Sequence, residues 1–204
     1  MERPNDRVEL RDRIVEAATM LFQRDGIKQV RMDDVASELG MSKKTLYGAF
    51  PDKESLLFEV VKATSKTLSE SIREIVTGSQ NVVEQIFLLY KKVIEHCRGV
   101  NPLFFTELIR YTEVEAYFDQ TYSRHTHCVK EWLLTGVEQG LLRSDIDYDV
   151  FLQQDGFQID KLLKNPAVRK HEPEVIYNSV VLVLLRGMAT EKGLEIIKSL
   201  KQQS

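Results

Sequence analysis

Apolar residues along the chain recur at helical spacing almost from end to end. Ile14, Ala17, Ala18, Leu21 and Phe22 fall at i, i+3, i+4, i+7 and i+8, one face of a helix that Asp25-Gly26 should terminate. After Pro51-Asp52 a longer stripe runs through Leu57, Val60, Val61, Thr64, Leu68, Ile72 and Ile75. Asp52 suits its N-cap and Gly78 its end. Val82, Ile86, Leu89, Tyr90, Val93 and Cys97 make the next stripe, stopped by Gly99. Asn101-Pro102 reads as a helix start, because proline at the first helical position lacks an N–H that would be unpaired there anyway. Thr112-Glu113-Val114-Glu115 fits a capping box opening a helix that ends near Gly140. Asp147 suits the cap of a helix reaching Asn165-Pro166, and Pro173 opens a last one whose apolar positions extend to Leu200. No segment alternates with the period of two that a half-buried strand requires. The pattern predicts an all-α chain of about nine helices. A small N-terminal module of short helices shares a long helix with a larger helical domain.

Within the N-terminal module, "SELGMSKKTLYGAF" (37–50) has the spacing of two short helices crossing at a steep angle. A small residue, Ala36, allows close approach. Gly40, four residues on, supplies the positive φ of the turn. Leu46, six residues further, faces inward. Val35, Leu39, Met41 and Phe50 complete the inner surface, and Ser42 can cap the second helix. Lys43, Lys44, Thr45, Tyr47 and Gly48 then face outward. Lysines supply donors for guanine edges or phosphates, threonine a methyl for thymine, and tyrosine a phenol for a phosphate oxygen. Gly48 lets the backbone come near a duplex, and Lys53 stands where it could clamp a phosphate beside the groove. This face suits a helix that reads the DNA major groove.

Charge alters the picture only locally. The 204 residues hold 28 Lys+Arg and 31 Asp+Glu, a formal charge of −3. Even residues 1–62 carry 11 basic and 12 acidic side chains, whereas a nucleic-acid-binding module is ordinarily basic overall. The segment 41–53, however, is net +2, so the acidic residues are expected to face away from the duplex. At 43% hydrophobic and 29% charged the chain reads as globular. Its longest obvious apolar run, Val180–Leu185, is far short of a membrane span of roughly 18–20 residues. The charged start "MERPNDRVEL" is not expected to be a secretory signal. Two cysteines, Cys97 and Cys128, fit a reducing cytoplasm rather than a disulfide scaffold.

The stretch Ile14 to Val61, "IVEAATMLFQRDGIKQVRMDDVASELGMSKKTLYGAFPDKESLLFEVV", closely resembles the DNA-binding module of the TetR family of bacterial transcriptional regulators. It shares the Ala-Ala…Leu-Phe first helix, the Val-Ala…Leu-Gly-Met-Ser turn, Thr-Leu-Tyr, Phe-Pro and Lys53-Glu54…Leu56-Leu57. The resemblance implies a DNA-binding domain at 8–60, with its helix-turn-helix at about 32–51, and an effector-binding and dimerisation domain at 61–204. It places Lys43, Lys44, Thr45 and Tyr47 on DNA and Lys53 on phosphate. Two positions depart from the family pattern. Arg31 stands where many relatives have Thr or Ser, so it can keep a phosphate contact but not a helix cap. Gly48 stands where many have His. A two-helix reader binds weakly alone, so a homodimer on a palindromic operator is expected, with half-sites about 34–36 Å apart. The resemblance implies that the dimer forms through the last two helices and that repression is relieved by a small-molecule effector. The apolar "VIYNSVVLVLLRGMA", with Gly187 allowing close helix approach, agrees with a dimer helix and equally with simple burial.

Other chemistry has less in the sequence to carry it. Phe87, Tyr90, Phe104, Phe105, Tyr111, Tyr122, Trp132 and Phe157 suit the wall of a ligand pocket and equally a packed core; the effector-binding residues are unknown. His96-Cys97 and His125-Thr126-His127-Cys128 raise a metal or redox sensor as the alternative. Yet His125 and His127 point to different faces, and no CxxC or HExxH pattern exists. A helical enzyme using Glu107, Glu113 or Glu115 would need Glu-x-x-His pairs, and no Glu has a His three residues on. A helical adaptor would leave the Lys/Tyr face unexplained. No catalytic, cofactor or metal-binding residue is expected.

Overall fold

The computed structural model describes residues 4–108, 110–153, 165 and 168–202, without the side chains of 4–6, 96, 115, 118–128 and 169. The described residues form α-helices with no named strand, as the apolar spacing requires. In chain order these are α1 (Pro4–Asp25), α2 (Met32–Glu38), α3 (Lys43–Ala49), α4 (Lys53–Gly78), α5 (Val82–Arg98), α6 (Pro102–Leu108), α7 (Thr112–Glu138) and α8 (Tyr148–Gln153). A helical run α9 follows as Pro173–Ile176, a π-turn at Tyr177–Val181 and Leu182–Met188, and then α10 (Glu191–Gln202). The expected helix from 147 to 165 lies beyond Gln153 outside the described residues, as do the Tyr122, His125, His127, Cys128 and Phe157 side chains.

Packing divides the chain into two compact units, Met1–Glu70 with Gly99–Phe118, and Ser71–Arg98 with Asp119–Ser204. In the first, the α1 face Ile14, Ala18 and Phe22 packs with Val35 of α2, Leu46 of α3 and Leu57, Val60 and Val61 of α4. Phe104 and Leu108 of α6 join the same core. Gly26 ends α1 at φ +88°, its N–H donating to the Phe22 carbonyl at 3.0 Å. Two further carbonyls left open at the end of α1 are taken by Asn101, whose backbone N–H reaches Gln23 at 2.6 Å and whose amide reaches Arg24 at 3.1 Å. Glu107 of α6, a buried carboxylate, accepts the Lys28 N–H at 2.8 Å. Asp52 caps α4 by accepting the Ser55 N–H at 2.7 Å.

The second unit is built on Val83, Phe87, Ile94, Leu133, Leu142, Tyr177, Val181, Leu182, Leu185 and Ile197. Tyr177 stacks edge-to-face on Phe87 at 5.3 Å and donates its hydroxyl to the Phe87 carbonyl at 3.1 Å. Burial pushes its phenol well above the usual range. Asp147 caps α8, accepting the Asp149 and Val150 N–H groups at 3.0 and 3.1 Å.

The single helix expected from Pro173 to Leu200 is instead two. The chain extends at Ala189, which forms an isolated antiparallel bridge with Leu142. Arg143 N–H donates to the Met188 carbonyl at 2.8 Å and Thr190 N–H to the Leu141 carbonyl at 2.9 Å. These long-range bonds replace the intrahelical ones, and the Thr190 hydroxyl restarts the helix by accepting the Gly193 N–H at 3.2 Å. Within the chain the backbones come closest at Gly193, where an added methyl would overlap the Leu141 carbonyl oxygen. Gly187 is exposed, with open space around it.

Candidate nucleic-acid interface

The turn between α2 and α3 is a complete Schellman motif. Gly40 sits at φ +61°, Gly40 N–H donates to Ser37 at 3.1 Å, and Met41 N–H donates to Ala36 at 2.9 Å. The second bond brings the chain back over Ala36, which is buried, so a small side chain there and a left-handed residue at 40 act together. At the other end of α2 the cap is asymmetric. The Asp34 carboxylate accepts the Arg31 N–H at 2.6 Å. Arg31 has no acceptor with which to return the bond, and its side chain is exposed.

Ser42 caps α3, accepting the Thr45 N–H at 3.1 Å. Its hydroxyl also pairs with the Thr45 hydroxyl at 2.8 Å. Leu46 is fully buried and is the sole buried residue within α3, with Phe50 buried just beyond it. Lys43, Lys44, Thr45, Tyr47 and Gly48 are all exposed, Tyr47 by 46% despite its apolar ring. A methyl at Gly48 would meet nothing within 4 Å. The sequence-predicted ridge is therefore assembled on one side of a short, capped helix.

Two of the cations expected on DNA are engaged within the protein. The Lys43 ammonium donates to Asp33 on α2 at 2.7 Å, and that hydrogen bond holds its pKa above the usual lysine value. Lys53 donates to the Ile27 carbonyl and lies 5.8 Å from the Phe22 ring centre. Burial pushes its pKa down. The structure thus brings Lys44, Tyr47 and Gly48 together as an open surface, with Lys43 held at its edge by Asp33 and Lys53 turned onto the α1–α2 turn. Asp33, Asp34 and Arg11, whose guanidinium reaches the end of α3, have no counterpart in the sequence reading. Only an acidic first turn marks Asp33 and Asp34 in the sequence.

Residues 14–60 match the family model described as bacterial regulatory proteins of the tetR family. An HTH-type transcriptional regulator of Staphylococcus aureus, SAB2452, is 31% identical over 126 residues, covering 56% of this chain and 68% of that protein. The chain belongs to the TetR family. As a TetR-family member it is a sequence-specific DNA-binding transcriptional regulator. Another relative, the transcriptional repressor KstR2 of Mycobacterium tuberculosis, is 26% identical over 146 residues, 69% of this chain and 72% of that one. Among solved structures, a Saccharomonospora viridis transcriptional regulator crystallised with choline has a TM-score of 0.75 at 22% identity, covering 90% of this chain and all of its own. KstR2 itself has a TM-score of 0.64 at 20% identity, covering 89% and 95%. At these identities the structures establish the TetR fold alone.

Elsewhere, the aromatics named as pocket walls fall in both cores. Phe104, Phe105 and Tyr111 pack in the first unit, and Phe87, Tyr90 and Trp132 in the second. Tyr90 and Trp132 border a void between α5 and α7 of about 10 Å³, room for about one water. Among the described residues no three His, Cys, Asp or Glu side chains gather as metal ligands. No described helix is long and apolar enough to cross a membrane.

Proposed function

We propose that this regulator is a dimeric repressor that reads a palindromic operator with α3 and leaves it when a small molecule binds. The carrying observation is the ridge of Lys44, Tyr47 and Gly48 on a helix whose start is fixed by the Gly40 turn and the Ser42 cap. Lys43 joins the ridge at the phosphates by exchanging Asp33 for a phosphate oxygen. Arg31 and Thr45 are assigned to flanking backbone and thymine-methyl contacts, and Lys53 to a phosphate after release from Ile27. A two-turn reading helix gives too few contacts alone, so two protomers on adjacent half-sites are required.

The dimer is assigned to α9 and α10. Val175, Ser179, Val183 and Gly187 recur every four residues along α9 and are exposed, with Val175 at 48% and Val183 at 59%. Apolar side chains repeated on one open helix face favour a second helix as their cover. Repression follows the naming of KstR2, and a small-molecule effector is supported by the choline complex of the S. viridis neighbour. The effector would act by shifting α4, and it must bind the DNA-free state more tightly than the DNA-bound one to do so. The test is selection of genomic fragments by the purified protein, followed by footprinting and stoichiometry. Protection of two inverted half-sites by two protomers supports the reading. Failure to enrich any sequence overturns it.

A further inference from the structure

α3 spans seven residues and is anchored along its length by one buried side chain, Leu46. Such a helix is free to pivot about that point unless both ends are tied. The N-terminal end is tied by the Ser42 cap and the Gly40 turn. The C-terminal end is held by Phe50, buried just beyond it with its N–H on the Leu46 carbonyl at 2.9 Å, and it leaves later carbonyls that no helical N–H can reach. One of them, that of Ala49, accepts a hydrogen bond from the Arg11 guanidinium, contributed by α1 from 38 positions away. The same guanidinium lies 4.2 Å from the centre of the Phe50 ring, which is 1% exposed. A cation at a helix C-terminus also meets the negative end of the helix dipole. Arg11 lies ahead of the matched segment 14–60.

We infer that Arg11 is a positioning residue for DNA reading: by pinning the Ala49 carbonyl and stacking on Phe50 it sets the tilt at which α3 presents Lys44 and Tyr47. It acts on base recognition without touching DNA. The inference rests on the reading of α3 as the DNA-contacting helix.

The experiment uses the full-length protein and two probes, a duplex selected by the parent from a random-sequence library and poly(dI-dC). The variants are Arg11→Ala and Arg11→Met, the latter keeping an apolar stem over Phe50. Both are expected to bind the selected duplex about tenfold more weakly, the equivalent of losing part of a base contact in each half-site. Poly(dI-dC) affinity stays within about twofold and the salt slope is unchanged, because no phosphate contact is lost. Amide exchange at Leu46–Phe50 becomes faster, a change that general destabilisation would not confine to α3. Equal weakening on both probes with a shallower salt slope makes Arg11 a phosphate ligand and overturns the inference. Parent-like binding of the selected duplex by Arg11→Met also overturns it, and that variant decides if Arg11→Ala does not fold. If the parent selects no duplex, the reading of α3 fails first and takes this inference with it.

Discussion

Gly40 and Gly48 lie eight residues apart, and the same Gly→Ala change should act on them with opposite sign. At Gly40, φ is +61° and an added methyl would have open space around it, so the whole effect is backbone strain. An L-residue held in the left-handed region costs roughly 1–2 kcal/mol, of which about 0.4–1 kcal/mol is returned by the stiffer unfolded chain. The net expectation is a loss of about 1 kcal/mol. At Gly48 the backbone is helical and the space again empty, so alanine gains about 1 kcal/mol of helix propensity. The two variants should therefore differ by about 2 kcal/mol in urea unfolding followed by far-UV circular dichroism at one protein concentration. Gly40→Asn should fall between the parent and Gly40→Ala, since asparagine tolerates this conformation better. Equal effects at the two positions, or a neutral Gly40→Ala, would refute the turn geometry. Gly48→Ala carries a second consequence. If the backbone at 48 approaches the duplex closely, this more stable protein binds the selected duplex more weakly than the parent.

Three other outcomes are expected. Gly193→Ala would drive a methyl onto the Leu141 carbonyl oxygen and to 3.1 Å from Ala189 Cβ, a backbone obstruction expected to cost about 2–3 kcal/mol. Unchanged thermal unfolding would contradict the docking of α10 on that segment. Asp52 has its folded pKa depressed below 3.8 by the Ser55 backbone N–H, so its contribution is present above that pH and lost as pH falls through the folded value. Asp52→Asn keeps an acceptor that does not titrate, so its melting temperature should fall less steeply with acid than the parent's. Identical acid limbs would count against the cap. Asp33→Asn removes the partner that Lys43 must give up on binding and should strengthen binding to selected and unselected duplexes alike, by about threefold or more, with a salt slope close to the parent's because the number of phosphate contacts is the same. Weaker binding would mean that the ion pair holds Lys43 in its productive position.

Most helix boundaries were legible because each depends on a local device. Gly26, Gly40 and Gly140 supply left-handed stops, and Ser42, Asp52, Asn101 and Asp147 supply caps, all within four residues of the groups they serve. The break at Ala189 was not legible from periodicity, since the apolar spacing continues across it and the nearby Gly187 is helical rather than a left-handed stop. It depends on the bridge to Leu142, although Thr190 followed by Glu191 is a readable helix start. The site divides along the same line. The outward face of α3 follows from burying Leu46 and Phe50, so its membership could be read from spacing. The partners that bias its side chains could not, because Asp33 and Lys43 are 10 positions apart, Ile27 and Lys53 are 26, and Arg11 and Ala49 are 38. Spacing says which way a side chain leaves a helix but not which carbonyl or carboxylate waits there.

The reading of α3 as the DNA-contacting surface is tested most directly by equilibrium binding of the parent-selected duplex to Lys44→Ala and Tyr47→Ala across a salt series. Both variants should keep the parent's circular dichroism and unfolding midpoint yet bind more weakly, and Lys44→Ala should flatten the dependence of log K on log salt by about 0.9 per half-site. Parent-like affinity and slope in both variants would show that the duplex meets some other face of the protein.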